Sequence, residues 1–311
     1  MKHVTLEGGI EVATFKKPPF DFNPFAASEA ELRMYGLPLV PDDPRHRARY
    51  QRVVNHMRRK LTFVEPTFRV NRDRFHGPRT RAVVAGTEEG TSWSGAVVQS
   101  SSGSFRWIQG DFVVPNVDAP SEGNAKCAVW IGLDGDTQLQ DGAQVFQAGV
   151  FIDVNRNGSS IQATFEAFWE WFPDPAVTIT NFAVDPGDMI TMVLCSTQGA
   201  GSTEGTVFFA NRTTGIGTSV ALTAPQNVAL RGGTAEWIVE TLMSNGAQIE
   251  LADYGEVFFS ECEAVTTSGN IVDAGSGNNI VAFDTQGNVI SRGNLVAPTI
   301  VQCVYTGALP A

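Results

Sequence analysis

Over most of this chain the only groups able to trade protons near or below neutral pH are carboxylates. Beyond residue 85 the sequence contains no histidine, one lysine (Lys126) and 24 Asp and Glu. No Ser/His or Cys/His pair and no His-ligated zinc can be built from that part alone. Whatever chemistry it performs falls to carboxylates and side-chain amides. Glu240 alternates with Ile238 and Leu242, an isolated carboxylate among apolar neighbours and so a candidate for proton transfer. Glu236 reads as a surface acid or as a partner to it. Gln147 alternates with Val145, Gly149 and Phe151; on the residues alone it is either a cross-strand hydrogen-bonding side chain or an amide facing a groove. Glu166 and Glu170 form a second acidic pair. A rise of ~3.4 Å per residue along one strand sets their Cα atoms roughly 13 to 14 Å apart. Side chains from such a pair can converge to the ~5 to 5.5 Å that a retaining glycosidase uses.

These residues need rigid elements to position them, and the sequence offers strands. Only 18% of the 311 residues are charged and 42% are hydrophobic, while 31 glycines and 16 prolines supply turns. From Trp93 onward, short alternating segments are separated by Gly, Asn, Asp and Pro, the pattern of a β-sandwich or barrel. The clearest is 161–172. There Ile161, Ala163, Phe165, Ala167, Trp169 and Trp171 make one apolar face, while Gln162, Thr164, Glu166, Phe168, Glu170 and Phe172 make the other. Residues 143–153 and 235–242 alternate in the same way.

The first 85 residues differ in kind. They hold 16 Lys and Arg against 9 Asp and Glu, a net of +7, and all four histidines; the remainder carries a net of −18. Residues 1–25 show no sustained period and read as an irregular arm. Ser28-Glu29-Ala30-Glu31 is a capping box, and the helix it opens should end at Gly36 and Pro38. Asp43-Pro44 starts a second helix in which Tyr50, Val53, Val54, Met57 and Leu61 fall at helical spacing among Arg45, Arg47, Arg49, Arg52, Arg58, Arg59 and Lys60. Residues 62–91 read as a linker.

The formal charge of −11 disfavours nucleic-acid partners and anionic membranes, both of which call for clustered Lys and Arg. No run approaches the ~18 apolar residues of a membrane span. Cys127, Cys195, Cys262 and Cys303 form no CxxC motif, and they fit either one or two disulfides or buried thiols. The start, Met1 to Glu7, lacks the apolar core of a secretory signal.

Several segments stand in a specific order: Trp93-Ser94-Gly95-Ala96; Trp130-Ile131-Gly132-Leu133-Asp134-Gly135-Asp136 leading to Gln147-Ala148-Gly149; Phe168-Trp169-Glu170-Trp171-Phe172-Pro173; and Ala235-Glu236-Trp237-Ile238-Val239-Glu240. The turn Pro186-Gly187-Asp188 and Asn211-Arg212-Thr213-Thr214-Gly215 lie between the last two. Together they resemble the glutamic peptidases, or eqolisins, over about residues 92–265. The resemblance implies an all-β, two-sheet antiparallel β-sandwich of the concanavalin A-like jelly-roll kind over 86–311, with 1–85 a basic helical pro-segment or N-terminal extension. It implies an acid endopeptidase with a catalytic dyad of Gln147 and Glu240. Trp93, Trp130, Asp134, Phe168, Glu170 and Phe172 fall on cleft positions. It further implies a monomer acting on proteins or peptides, with no metal or organic cofactor, and an extracellular location. The sequence departs from the family pattern at Phe151, where an aspartate is usual, at Phe168 and Phe172, where other aromatics stand, and at Gln138, in place of a half-cystine.

The chemistry of such a dyad follows from its groups. A carboxylate with an ordinary pKa of about 4 to 5 serves best as a base toward water in acid. A glutamine amide can donate to the oxyanion of the tetrahedral intermediate without titrating. Two rival functions remain at this point: a glycosidase using Glu166 and Glu170, though with Phe168 between them where an aspartate would be expected, and a carbohydrate-binding sandwich using Trp169, Trp171 and Phe172 as platforms. The charge asymmetry further suggests that the basic extension covers the acidic cleft near neutral pH and is released in acid.

Overall fold

Period-two alternation sets the architecture. In the strand Ser160–Trp171, the odd-numbered residues Ala167, Trp169 and Trp171 enter the main core, while Phe168 enters a second cluster on the other face. The half of that strand before Phe165 is exposed, Ile161 included. Its neighbour Phe146–Asn157 pairs with it in antiparallel register from Phe146 opposite Trp171 to Asn157 opposite Ser160, and pairs on its other side with Gly123–Leu133. Thr234–Glu240 follows Gly123–Leu133, and Trp93–Gln99 follows Thr234–Glu240. A second run joins Glu256–Thr266, Phe105–Val113, Met189–Ser196, Glu204–Asn211 and Ile216–Thr223, again antiparallel. Ile108, Met192, Leu194, Val207 and Phe209 from this run share one core with Ile131, Ala148, Trp169 and Trp237 from the first. The indole of Trp237 donates to the Gln109 carbonyl (2.8 Å), although their strands are not ladder neighbours, so the two runs also touch through that core.

The computed structural model describes residues 1–311 apart from positions 20, 38, 42, 59–60, 73–81, 85–86, 91, 102, 137–143, 245–246 and 308–311, and apart from the side chains of 53–58, 82–84, 87–90 and 244. Gln138 and the side chains of Val53, Val54 and Met57 lie outside the described residues.

Two separate sheets are expected from the sequence, but among the described residues the hydrogen-bonded network is a single mostly antiparallel sheet of 22 strands, with a two-stranded ladder, Met243–Ser244 with Ala247–Gln248, beside it. The reason lies near the C-terminus. Asn278–Phe283 pairs with Trp93–Gln99, then Val289–Ala297 and Ile300–Tyr305 carry the ladder across to Glu256–Thr266. The edge amides and carbonyls of the two runs thereby find partners.

The N-terminal segment is woven into this sheet. Where an irregular arm is expected, Lys2–Thr5 and Glu11–Thr14 form a hairpin whose second strand pairs with Ile216–Thr223. The region expected as a linker contains Thr62–Phe63, paired with Ile216–Gly217, Phe68–Val70, paired with Val177–Ile179, and a small ladder of Ala82–Val84 with Thr87–Gly90. Both helix starts form as their caps dictate. Ser28 accepts from the Glu31 amide while the Glu31 carboxylate accepts from the Ser28 amide, opening the helix Glu29–Met34. Asp43 accepts from the amides of Arg45 and His46 at the start of Pro44–Arg58. The longer helix lays Tyr50 on Trp107, Val193, Phe208 and Val265, and Arg49 spans both oxygens of Glu263 at 2.9 Å. All four cysteines are free thiols; Cys127, Cys262 and Cys303 are buried, and burial pushes the Cys303 thiol up to about 12. No helix among the described residues is long and apolar enough to cross a membrane.

Candidate active site

Register places the candidate groups in three rows on one face of the first run of strands. Glu170, Gln147, Gly132 and Glu236 lie opposite one another in the first row. Phe168, Gly149, Trp130 and Ile238 form the second. Glu166, Phe151, Ala128, Glu240 and Trp93 form the third. Residues two apart on a pleated strand share a face, so all three rows point the same way. Glu236 is therefore level with Gln147 across Gly132, and Glu240 stands two rows along.

Trp130, in the middle row, connects the ends. Its Nε1 donates to Glu240 Oε2 at 2.9 Å. At its far edge, Cζ3 lies 2.8 Å from where a Cβ on Gly132 would sit, and Gln147 Cβ lies 3.3 Å from the same point. The indole and the Gln147 side chain thus border the space that Gly132 leaves by having no side chain. Gly149 is needed for the same ring, because a Cβ there would stand 2.5 Å from Trp130 Cβ. Trp93 packs edge-on against Trp130, with centroids 4.8 Å apart, and fixes its tilt. Gln147 Nε2 donates to Glu170 Oε2 at 2.8 Å, which leaves its second N–H for another acceptor. Gln147 and Glu236 are fully buried, and Glu170 and Glu240 are 1% exposed.

The other expected residues divide. Phe168 stacks on Phe151 at 3.8 Å and 14°, so the position where the resemblance leads one to expect an aspartate carries an apolar wall instead. Phe172 packs at the rim of the same cluster. Asp134 lies just past the end of the strand Gly123–Leu133. With φ at 66° it turns its carboxylate onto the amides of Arg231 (2.7 Å) and Gly233 (2.8 Å), and so fastens the 231–233 loop to the strand end. Burial raises its pKa against the pull of those amides. Glu166 is held by Arg69 from the N-terminal segment at 2.6 and 2.7 Å, rather than converging with Glu170. Trp169 and Trp171 face the main core, each 1% exposed, so the aromatic platform of a carbohydrate-binding surface is absent from that face.

The family model described as "Peptidase A4 family" matches residues 91–305. The chain belongs to the peptidase A4 family. It is 29% identical over 225 residues to aspergillopepsin-2 of Aspergillus niger, covering 66% of this chain and 74% of that protein. It is 28% identical over 189 residues to scytalidopepsin B of Scytalidium lignicola, covering 58% of this chain and 66% of that protein. Its fold is similar to that of scytalido-glutamic peptidase with a transition-state analogue inhibitor, with a TM-score of 0.57 and 24% identity over 70% of this chain and 98% of that one. The same TM-range likeness, 0.55 at 24% identity and the same coverage, holds for a family member in complex with the tripeptide Ala-Ile-His. As a member of the glutamic peptidases, or eqolisins, this chain is a peptidase and a hydrolase by family.

Within the A4 domain, sequence reasoning overlooked Gly132 and Gly149 as site residues. Their signal was present in Trp130-Ile131-Gly132 and Gln147-Ala148-Gly149: a glycine two residues after a large or functional side chain, on the same face of a strand. Arg69 was missed for a different reason. It lies in the segment outside the family match, and only the pairing of Phe68–Val70 with Val177–Ile179 carries it to the site.

Proposed function

We propose that this A4 peptidase is an acid endopeptidase in which Glu240 and Gln147 carry the reaction. The observation that supports this most is the indole of Trp130, which holds the Glu240 carboxylate at one end and borders the Gly132 gap beside Gln147 at the other. In the reaction, Glu240 takes a proton from water as the water oxygen attacks the peptide carbonyl carbon. The second N–H of Gln147, the one not used on Glu170, donates to the resulting oxyanion. Glu240 then returns its proton to the amide nitrogen as the C–N bond breaks. Trp93, Trp130, Glu170, Phe168 and Phe172 line the peptide site. The stacked Phe151 and Phe168 favour an apolar side chain at the subsite they form.

The remaining parts of this reading follow the same way. The single sheet is folded over its core as the two layers of a jelly-roll sandwich, supported by the shared core and the Trp237 contact. Residues 86–311 form the peptidase unit and 1–85 an extension or pro-segment. The dyad face is buried in the intact chain and Arg69 ties the extension to Glu166 on that face, so a polypeptide reaches the dyad only after chain moves aside. The protein works as a monomer on protein or peptide substrates and is exported. Recovery of the activity in the medium rather than in cells, at the gel-filtration size of one chain, is the expected result.

The decisive experiment is digestion of denatured casein or haemoglobin at about pH 3 to 4, where carboxylates titrate, beside a β-glucan. Glu240→Gln should retain the fold and lose ~1,000-fold or more in kcat, since it removes the only proton acceptor in the scheme. Glu236→Gln is the matched control. If it loses as much activity and Glu240→Gln does not, the carboxylate level with Gln147 is the base and the assignment is wrong.

A further inference from the structure

The N-terminal segment and the sheet enclose a cavity of about 500 Å³ on the face that carries the helices. One side comes from the N-terminal hairpin, the helix Glu29–Met34 and the turn after it. The other comes from Phe105–Val113, Met189–Ser196, Glu204–Asn211 and Ile216–Thr223. The volume falls within the ~300 to 1,000 Å³ of small-molecule sites.

Its walls sort by chemistry. Phe15, Leu37, Val40, Phe208 and Leu222 supply apolar surface. At another part of the wall, His46 stands edge-on to Trp107 at 5.1 Å, with Arg106 close enough to act on its charge. His46 is 3% exposed, and neither Nδ1 nor Nε2 has a hydrogen-bond partner; Arg106 Nε is likewise buried and unpartnered. Burial first, and Arg106 second, lower the imidazole pKa to about 4, so at neutral pH the ring is uncharged and presents one N–H. A buried donor left unsatisfied costs ~1 to 3 kcal/mol, and native folds rarely tolerate two such groups lining one cavity without a ligand or water to meet them.

We infer that this cavity is a binding site for a small molecule with an apolar body ending in a carboxylate. The carboxylate accepts from Arg106 Nε and the His46 N–H, and the body lies along Phe208, Leu222 and Leu37. A guanidinium repels cations, and a single guanidinium beside a neutral imidazole matches one negative charge. Arg33 adds a second positive charge, but Glu11, Glu29 and Glu204 outnumber the two guanidinium groups in the lining, so a monoanion depends on the local Arg106 and His46 donors and a dianion such as a phosphate is disfavoured. The ligand touches both the N-terminal segment and the sheet, so its binding favours the docked state by mass action. A free fatty acid and the C-terminus of a short apolar peptide share this chemistry. The site does not depend on which carboxylate performs peptide hydrolysis.

The test is calorimetric titration of the full-length chain at about pH 7, where His46 is neutral, with decanoate, decan-1-ol, acetate, and N-acetyl-Leu-Leu as free acid and as amide. Decanoate should bind and raise Tm, with decanol and acetate at least ~10-fold weaker. Arg106→Gln should abolish the preference for decanoate over decanol. Ala221→Trp, which fills the cavity from its wall, should abolish binding while leaving the circular dichroism unchanged. Bound decanoate should also raise the midpoint of the His46 imidazole titration followed by NMR, because an adjacent anion favours the imidazolium. Tighter binding of the peptide acid than of decanoate makes the source a peptide, and the reverse makes it a fatty acid. Equal binding of decanol and decanoate to the unmodified protein, undiminished binding to Ala221→Trp, or no binding at millimolar decanoate would overturn the inference.

Discussion

On the dyad face, Glu240 accepts from Trp130 and Gln147 donates to Glu170, so each proposed reacting side chain is held by a neighbour with a fixed place in the sheet. On the helix-bearing face, His46 lies at similar depth with neither ring nitrogen partnered, and its helix is held mainly by Tyr50 on Trp107 and by the pairing of Arg49 with Glu263. Polar groups that belong to one sheet are positioned by register. Those that bridge the helix Pro44–Arg58 and the sheet depend on the helix staying docked. The first arrangement suits chemistry, which needs geometry held to fractions of an ångström. The second suits binding and response to pH.

The sharpest way to break this comparison is Gln147→Ala. Loss of an oxyanion donor should cost ~3 to 4 kcal/mol of transition-state stabilisation, or ~100-fold or more in kcat, measured on a chromogenic peptide with Tm as control. A fall in Tm with activity retained would make the dyad face structural. Acidification probes the other face. Because the folded pKa of His46 is depressed from 6.5 to about 4, its neutral form is favoured when docked; the resulting stability is complete above about pH 6.5 and is lost as pH falls through 4. The loss amounts to at most about 3 kcal/mol. Arg49 and Arg106 add to it and Asp43 opposes it. Glu263, whose pKa is raised by burial despite Arg49, binds protons more readily when folded and also opposes the loss. Protection factors of the Pro44–Arg58 amides, each referred to intrinsic exchange at the same pH, should therefore fall between neutral pH and about pH 4, and His46→Gln should flatten that dependence.

A smaller effect is expected from Gly132→Ala. The new methyl meets Trp130 Cζ3 at 2.8 Å and Gln147 Cβ at 3.3 Å, an overpacking cost of ~1 to 3 kcal/mol. On the dyad face that cost should appear in kcat as well as in Tm, and an effect on Tm alone would remove Trp130 from the site. The smallest effect belongs to Arg52→Ala. Its pair with Glu261, 2.9 Å long, is nearly half exposed on both sides, and its longer contact of 3.7 Å is to Glu263, which Arg49 already holds, so helix docking should weaken by about 1 kcal/mol or less. A larger loss would mean that charge, rather than the Tyr50 cluster, holds the helix.

Much of the site was legible because its residues sit on strands. Alternation gave Gln147, Glu170 and Glu240 each a face on its own strand, and register brings those faces, with Trp130, to one side of the sheet. Nothing in Leu133-Asp134-Gly135 reveals that the Asp134 carboxylate reaches a loop about a hundred residues away. The Glu166 and Glu170 pair looked like a glycosidase pair because strand spacing cannot show that Arg69 takes one and Gln147 the other. The strands at Lys2–Thr5, Glu11–Thr14 and Phe68–Val70 were missed because they are short and find their partners far along the chain.

Sequence alone determined the class of chemistry, through the absence of histidine beyond residue 85, and the faces of the main strands and the two helix starts. These follow from side-chain type and from the local geometry of pleat and cap, which a few neighbouring residues settle. Tertiary structure alone decided that Trp130 holds Glu240 across 110 residues, that the sheet closes into one network through Asn278–Tyr305, that the four thiols stay unpaired, and that His46 and Arg106 line one cavity. Those outcomes depend on which distant segments pack together, and that is a property of the whole chain's burial rather than of any window within it.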